Sequence, residues 1–177
     1  IRLEGERLPR VALTDATLRE GQQGWRSLSV EECLKIYELL VELGGSGAIQ
    51  TTEIFLYTEK DRRVARLLKE HGAEYPKVIG WIRASRDDLR LLRESGLDET
   101  VVLCSISDYH IHLKLGLSRK EALSKYLAVI EQALRMGIAV KCALEDITRA
   151  DIMGVAVPFA SELVKLSEKY GLPVGIK

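Results

Sequence analysis

No excess of either charge marks this chain: 26 Lys and Arg balance 26 Asp and Glu over 177 residues. The balance argues against a nucleic-acid binder, which carries a basic excess, and against a polybasic membrane-surface protein. No apolar run approaches the roughly 20 residues of a membrane span, and no signal peptide is evident. Cysteine is scarce. Cys33, Cys104 and Cys142 are far apart, odd in number and set in apolar surroundings, without the CxxC spacing of metal or redox sites. They read as buried free thiols of a cytoplasmic protein. No GxGxxG follows an apolar run, so a dinucleotide fold has little support. Neither a low-complexity stretch nor a linker divides the chain, which reads as one domain over residues 1–177.

What the chain does contain is alternation. Apolar runs at residues 11–13, 48–56, 77–82, 100–104 and 139–144 read as strands buried on both faces. Helical patterns lie between them. Ser29, Thr58, Ser85 and Ser118 each stand three residues before an acidic side chain (Glu32, Asp61, Asp88, Glu121), the signature of a capped helix start. The helices run into Gly44, Gly72, Gly96, Gly137 and Gly171, where positive φ is cheap. Cys33, Ile36, Tyr37 and Leu40 share one helical face, as do Ala122, Tyr126, Val129, Ile130 and Ala133. Those faces are expected to pack against a parallel sheet.

Repeated βα units with short loops leave two architectures, a doubly wound open sheet or a TIM (β/α)8 barrel. Polar clusters follow nearly every strand, which favours a barrel whose site draws on several strand ends. Five complete units are present, and residues 172–177 begin a sixth strand. A whole barrel needs roughly 250 residues. The chain is therefore expected to be the N-terminal five and a half units of an α/β barrel. A longer parent chain or a partner would supply the rest; the parent is favoured, because an open parallel sheet exposes unpaired edges.

The strand ends carry the candidate chemistry. They are Asp15, Arg19, Glu20 and Gln23; Glu53; Trp81 and Arg83; Ser105, Ser107, Asp108, Tyr109 and His110; and Glu145, Asp146, Thr148 and Arg149. Such carboxylates, guanidinium groups and hydroxyls suit a divalent cation and an anionic oxo acid, since oxygen ligands favour Mg²⁺ or Mn²⁺. Plainer readings stand beside these. Asp15 would hydrogen-bond its own loop, Arg83 and Arg149 would be rim ion-pair partners, and Trp81 would be rim packing. His110 and His112, if on a strand, would share a face that a metal could use. Lys60-Asp61-Arg62-Arg63 reads as a solvated helix face.

The string Asp15-Ala-Thr-Leu-Arg-Glu-Gly-Gln-Gln23 resembles the signature of the DRE-TIM metallolyases, metal-dependent acyl-CoA condensing enzymes and lyases. Residues 52–61, 75–84, 105–110 and 144–151 narrow the resemblance towards the Re-type citrate synthases. Trp81 stands where homocitrate synthases carry a His. By position, the resemblance implies Glu20 as a metal ligand and Arg19 as the cation beside the reacting carbonyl. It places Gln23 in the substrate site and Glu145 facing it. The metal is expected to be Mn²⁺ or Mg²⁺, with Co²⁺ as a further option; the family's histidine pair lies beyond strand six and is absent from these residues.

The implied reaction condenses acetyl-CoA, the co-substrate, with a small-molecule 2-oxo acid, oxaloacetate for citrate. Arg83, Ser107, Tyr109 or His110 would hold the distal carboxylate, with Thr148 also in the substrate-binding set. Glu145 and His110 are candidates for the base. Isopropylmalate, citramalate or homocitrate synthesis, a hydroxymethylglutaryl-CoA-type lyase, and a non-catalytic half-barrel are the alternatives. The resemblance also implies a homodimer for the full-length protein.

Overall fold

The computed structural model describes residues 11–24 and 26–177. Six parallel strands form one sheet in sequence order: β1 (Leu13–Asp15), β2 (Ile49–Phe55), β3 (Lys77–Arg83), β4 (Glu99–Ser105), β5 (Ala139–Glu145) and β6 (Val174–Ile176). The connecting helices are α1 (Thr17–Glu20), α2 (Val30–Gly44), α3 (Glu59–Glu70), α4 (Arg86–Ser95), α5 (Arg119–Arg135) and α6 (Val157–Tyr170). A doubly wound sheet reverses its strand order at a switch point. This sheet never reverses, which decides for the barrel arrangement. The helical faces expected to pack on it do so: Cys33 and Tyr37 of α2 are buried, as are Ala122, Tyr126, Val129, Ile130 and Ala133 of α5.

Strand alternation divides the sheet into two faces. One face joins α2 to α6 in the main core, through residues such as Ile54, Val78, Ile82, Val102 and Cys142. The other carries Ile79, Trp81, Val101 and Ala143, with Phe55 and Leu103 packed against them. At the amino end of this second face, Glu99 receives Lys141 at 2.8 Å and Lys77 at 3.2 Å. At the carboxyl end it opens into a cavity. The expected two-sided burial holds for the inner strands and fails at the first. β1 begins two residues later than predicted, and Val11 and Leu13 are 76% and 54% exposed. β1 and β6 are the edges of the sheet, so among the described residues neither has a second neighbour to cover it.

The predicted helix starts are all present. Ser29, Thr58 and Ser118 each accept the backbone N–H three residues on, and Glu32, Asp61 and Glu121 return the bond, completing capping boxes. Ser85 accepts from Asp88 N–H, but the Asp88 carboxylate turns instead to Arg83, taking its N–H and Nε at 3.0 Å each and its Nη2 at 2.9 Å. Gly96 ends α4 in the left-handed region, φ 71°. Gly44 does not end α2 that way. It is the last helical residue, with a Cβ position 3.2 Å from Ile49 Cβ, and the positive φ falls on Gly45.

Candidate active site

The site grows from the turn after β1. Asp15 accepts Thr17 N–H at 3.1 Å and Thr52 Oγ1–H at 2.7 Å, so it organises the loop, as its plainer reading held. That bond starts the single turn of α1, which aims Arg19 inward. Arg19 is buried with its Nε donating to Glu53 Oε2 at 2.9 Å, and Glu53 is wholly buried. Its Nη1 donates to Glu20 Oε1. The guanidinium carbon lies 3.7 Å from the Trp81 ring centroid and 6.0 Å from that of Phe55. Lys177 Nζ donates to the other Glu53 oxygen. Among the described residues, Arg19 Nη2 has no protein acceptor. A buried cation so satisfied on three sides keeps one edge for a ligand.

That edge meets a cavity of about 510 Å³ at the carboxyl end of the sheet, lined by Arg19, Glu20, Gln23, Trp81, Arg83 and Glu145 among the predicted residues. The structure therefore gathers candidates from three separate segments. It also adds Phe55, Tyr57, Leu103, Ala143, Leu144 and Lys177. Phe55, Leu103 and Ala143 were within reach of strand parity, lying two residues from Glu53, Ser105 and Glu145. Lys177 follows β6 and carried no signal of its own.

Arg83 is held, as its alternative reading proposed, in a two-point pair with Asp88, leaving Nη1 without a protein acceptor among the described residues. Burial raises the Asp88 carboxyl, but hydrogen bonds from Arg83 and Ser85 more than offset this and hold it below the usual carboxylate range. Arg83 also stands 5.0 Å from the Tyr57 ring.

Beyond β4 the chain makes a single π-helical turn, Tyr109–Lys114. The strand geometry considered for His110 and His112 is therefore absent, and a helical turn sends residues two apart to different sides. His112 Nδ1 lies 2.8 Å from Leu117 O, while His110 Nδ1 lies 3.1 Å from Glu145 Oε2, without hydrogen-bond alignment. The same turn brings Lys114 to both Glu145 oxygens at 2.9 Å. Ser105 donates to Glu145 as well. Burial raises the Glu145 carboxyl, yet the bonds from Ser105 and Lys114 leave it below its ordinary value.

Ser107, Tyr109, His110 and Thr148 do not line the cavity. Ser107 is fully buried, donates to Asp146 and accepts His110 N–H at 3.2 Å. Tyr109 is exposed beneath Arg149, whose guanidinium lies 4.9 Å from the ring. Thr148 is exposed on a 3₁₀ turn (Ile147–Arg149) after β5. Arg149 donates to Asp146, a non-glycine residue at φ 65°, a conformation that costs free energy and recurs at functional sites. The run at residues 60–63 is also not simply solvated. Lys60 donates to Gln22, Ser27 and the Leu28 carbonyl, and Asp61 is buried in its cap.

The fit to a metal is partial. Glu20 stands half exposed at the cavity with one oxygen on Arg19. Among the described residues, no group of three or more His, Cys, Asp or Glu side chains could hold a metal ion. One carboxylate is an incomplete donor set for a divalent cation. The three cysteines are free and buried, and Cys142 together with burial pushes the Cys104 thiol up, so it is not an activated nucleophile. No described helix is long and apolar enough to cross a membrane.

Two relatives are Citrate (Re)-synthases, from Syntrophus aciditrophicus and Clostridium kluyveri. They are 44% and 46% identical over 168 residues, which is 94% of this chain but 27% and 37% of theirs. The chain thus spans about a third of the length of these relatives. Among solved structures, the HMG-CoA lyase of Bacillus subtilis superposes with a TM-score of 0.68 at 15% identity, covering 94% of this chain and 57% of that one. At that identity the likeness shows a shared fold. The family model described as HMGL-like matches residues 10–172, and the chain, with its Arg19-Glu20 pair at the mouth of a parallel β/α sheet, belongs to the HMGL-like family.

Proposed function

We propose that this chain is the N-terminal part, residues 1–177, of a barrel catalytic domain that condenses acetyl-CoA with a 2-oxo acid. The acid is oxaloacetate and the product citrate. The observation that carries the reading is Arg19, buried at the cavity with Glu53, Glu20 and Trp81 on three sides and Nη2 unclaimed by any described residue. The oxo acid is taken from the two Citrate (Re)-synthases, whose similarity runs through 94% of the chain.

The residues then divide the work. Deprotonation of the acetyl methyl group makes a carbon nucleophile that bonds to the ketone carbon. The ketone's π pair becomes an alkoxide, which is then protonated. Arg19 Nη2 meets that developing charge; a preorganised donor at such a point is worth about 3–4 kcal/mol of barrier. Gln23 and Arg83 Nη1 bind the carboxylates of the acid. Water then cleaves the thioester C–S bond, releasing citrate and the CoA thiol.

Glu145, bonded to Lys114 and Ser105 and held below its ordinary value, is a weak proton acceptor. His110, outside the cavity lining but with Nδ1 3.1 Å from Glu145 Oε2, is the other candidate base. Ser107 contributes by fixing the His110 backbone, and Tyr109 and Thr148 act at the outer rim. Glu20 would offer one oxygen to a Mn²⁺, Mg²⁺ or Co²⁺ ion whose other ligands are not among the described residues. Such an ion would supply Lewis-acid polarisation of the ketone.

The test is CoA release by the full-length protein, anaerobically with Mn²⁺, from acetyl-CoA and four acids: oxaloacetate, 2-oxoglutarate, pyruvate and 2-oxoisovalerate. Turnover confined to oxaloacetate is expected. Preference for another acid reassigns the protein to a sister synthase, and release with none of them refutes the condensation.

A further inference from the structure

Trp81 offers no reactive group, yet its ring lies nearer the Arg19 guanidinium than that of Phe55. Its ring centroid is 3.7 Å from the guanidinium carbon, and 91% of its surface is withdrawn from solvent. Stacking at this distance is the geometry of a cation–π contact, which is strongest with Trp and with a desolvated cation. The other restraints on Arg19 act at its edges: Glu53 takes Nε, and Glu20, half exposed, takes Nη1. Two edge bonds still let the guanidinium tilt out of its plane. A ring pressed against its face prevents that. Trp81 is itself fixed by β3, whose alternation sets it beside Ile79, Val101 and Ala143 on the cavity face of the sheet.

We infer that Trp81 is a positioning residue, which acts on the reaction through Arg19 by fixing the plane in which Nη2 meets the ligand. The inference rests on the role proposed above for Arg19 and extends it to a residue whose simplest account is rim packing. A rigid donor loses nothing by reorganising when charge develops, whereas a mobile one must reorient each time. The expected signature is therefore in kcat rather than in KM.

The experiment is a double-mutant cycle in the full-length protein, using Trp81→Leu, Trp81→Phe and Arg19→Lys. Trp81→Leu is expected to lower kcat about 10- to 30-fold with little change in KM, the loss of a contact of this kind expressed as rate. Trp81→Phe, which keeps an aromatic face, is expected to recover most of that loss. In the Arg19→Lys background, where no guanidinium plane remains for the ring to fix, Trp81→Leu is expected to cost clearly less. Equal losses in both backgrounds would show that Trp81 acts by packing alone and would overturn the inference. The same cycle read by thermal unfolding tests the pairing without turnover. Strictly additive shifts in Tm there would also overturn it, even if the wild type proved inactive with every acid and the functional reading had failed first.

Discussion

Arg19 and Glu53, 34 residues apart in sequence, meet at 2.9 Å with almost no solvent around either. One comes from a single helical turn after β1 and the other from the middle of β2, so the pair ties the first two units of the sheet to the site. Removing Glu53 leaves the buried Arg19 with only the half-exposed Glu20 as counter-charge. Glu53→Ala is expected to destabilise the full-length protein by about 3–5 kcal/mol, and Glu53→Gln, which keeps an acceptor, by less. Urea unfolding of the two variants checks the order; equal midpoints for wild type and Glu53→Ala would contradict it.

Asp88 serves both Arg83 and the start of α4. Its carboxyl titrates below its ordinary 3.8 in the folded protein. A depressed folded value means the contribution is complete above the unfolded value and is lost as pH falls through the folded one. Asp88→Asn should therefore be less stable than wild type at neutral pH, with the gap shrinking below about pH 4. Acid titration of thermal unfolding measures this directly, and a gap that widened on acidification would reverse the sign.

Lys114 is one of the two hydrogen-bonding groups that hold Glu145 below its ordinary value, the other being Ser105. Lys114→Met removes that positive charge, so the Glu145 carboxyl should titrate at higher pH. If ionised Glu145 supports turnover, the acidic limb of the kcat/KM profile moves upward in the variant. An unmoved limb would take Glu145 out of the reaction.

Ser118 caps α5 and does not line the cavity; it accepts Glu121 N–H, and the Glu121 carboxylate accepts its N–H in return. Ser118→Ala should cost about 1 kcal/mol of stability and leave CoA release unchanged. A loss of activity matching that of Arg19→Lys would mean the helix start, not the site, governs turnover.

Much of this was legible from the residues. Each strand-helix alternation is a local consequence of burial periodicity, and each cap pairs a hydroxyl with groups three residues away. Ser29, Thr58 and Ser118 could be read because everything they bond lies within one turn. Ser85 shows where local reading stopped: Asp88 had a competing partner in Arg83, the last residue of β3, and the stronger charge-assisted bonds won. The grouping of Arg19, Gln23, Arg83 and Glu145 at one cavity also followed from strand ends alone.

Other assignments required contacts that no spacing encodes. His110 and His112 share a strand face or diverge on a turn according to how the chain leaves β4, and a π-helical turn made them diverge. The same turn placed Lys114 on Glu145, 31 residues away. Local periodicity and capping chemistry therefore carried the parallel units, the helix boundaries and the candidate strand ends, because those depend on neighbours within a few residues. The stacking of Trp81 on Arg19, the burial of Glu53 beneath them and the withdrawal of Ser107 from the cavity came from folding distant strands side by side. Each rests on charges and rings that have reason to meet only once the sheet has set their spacing.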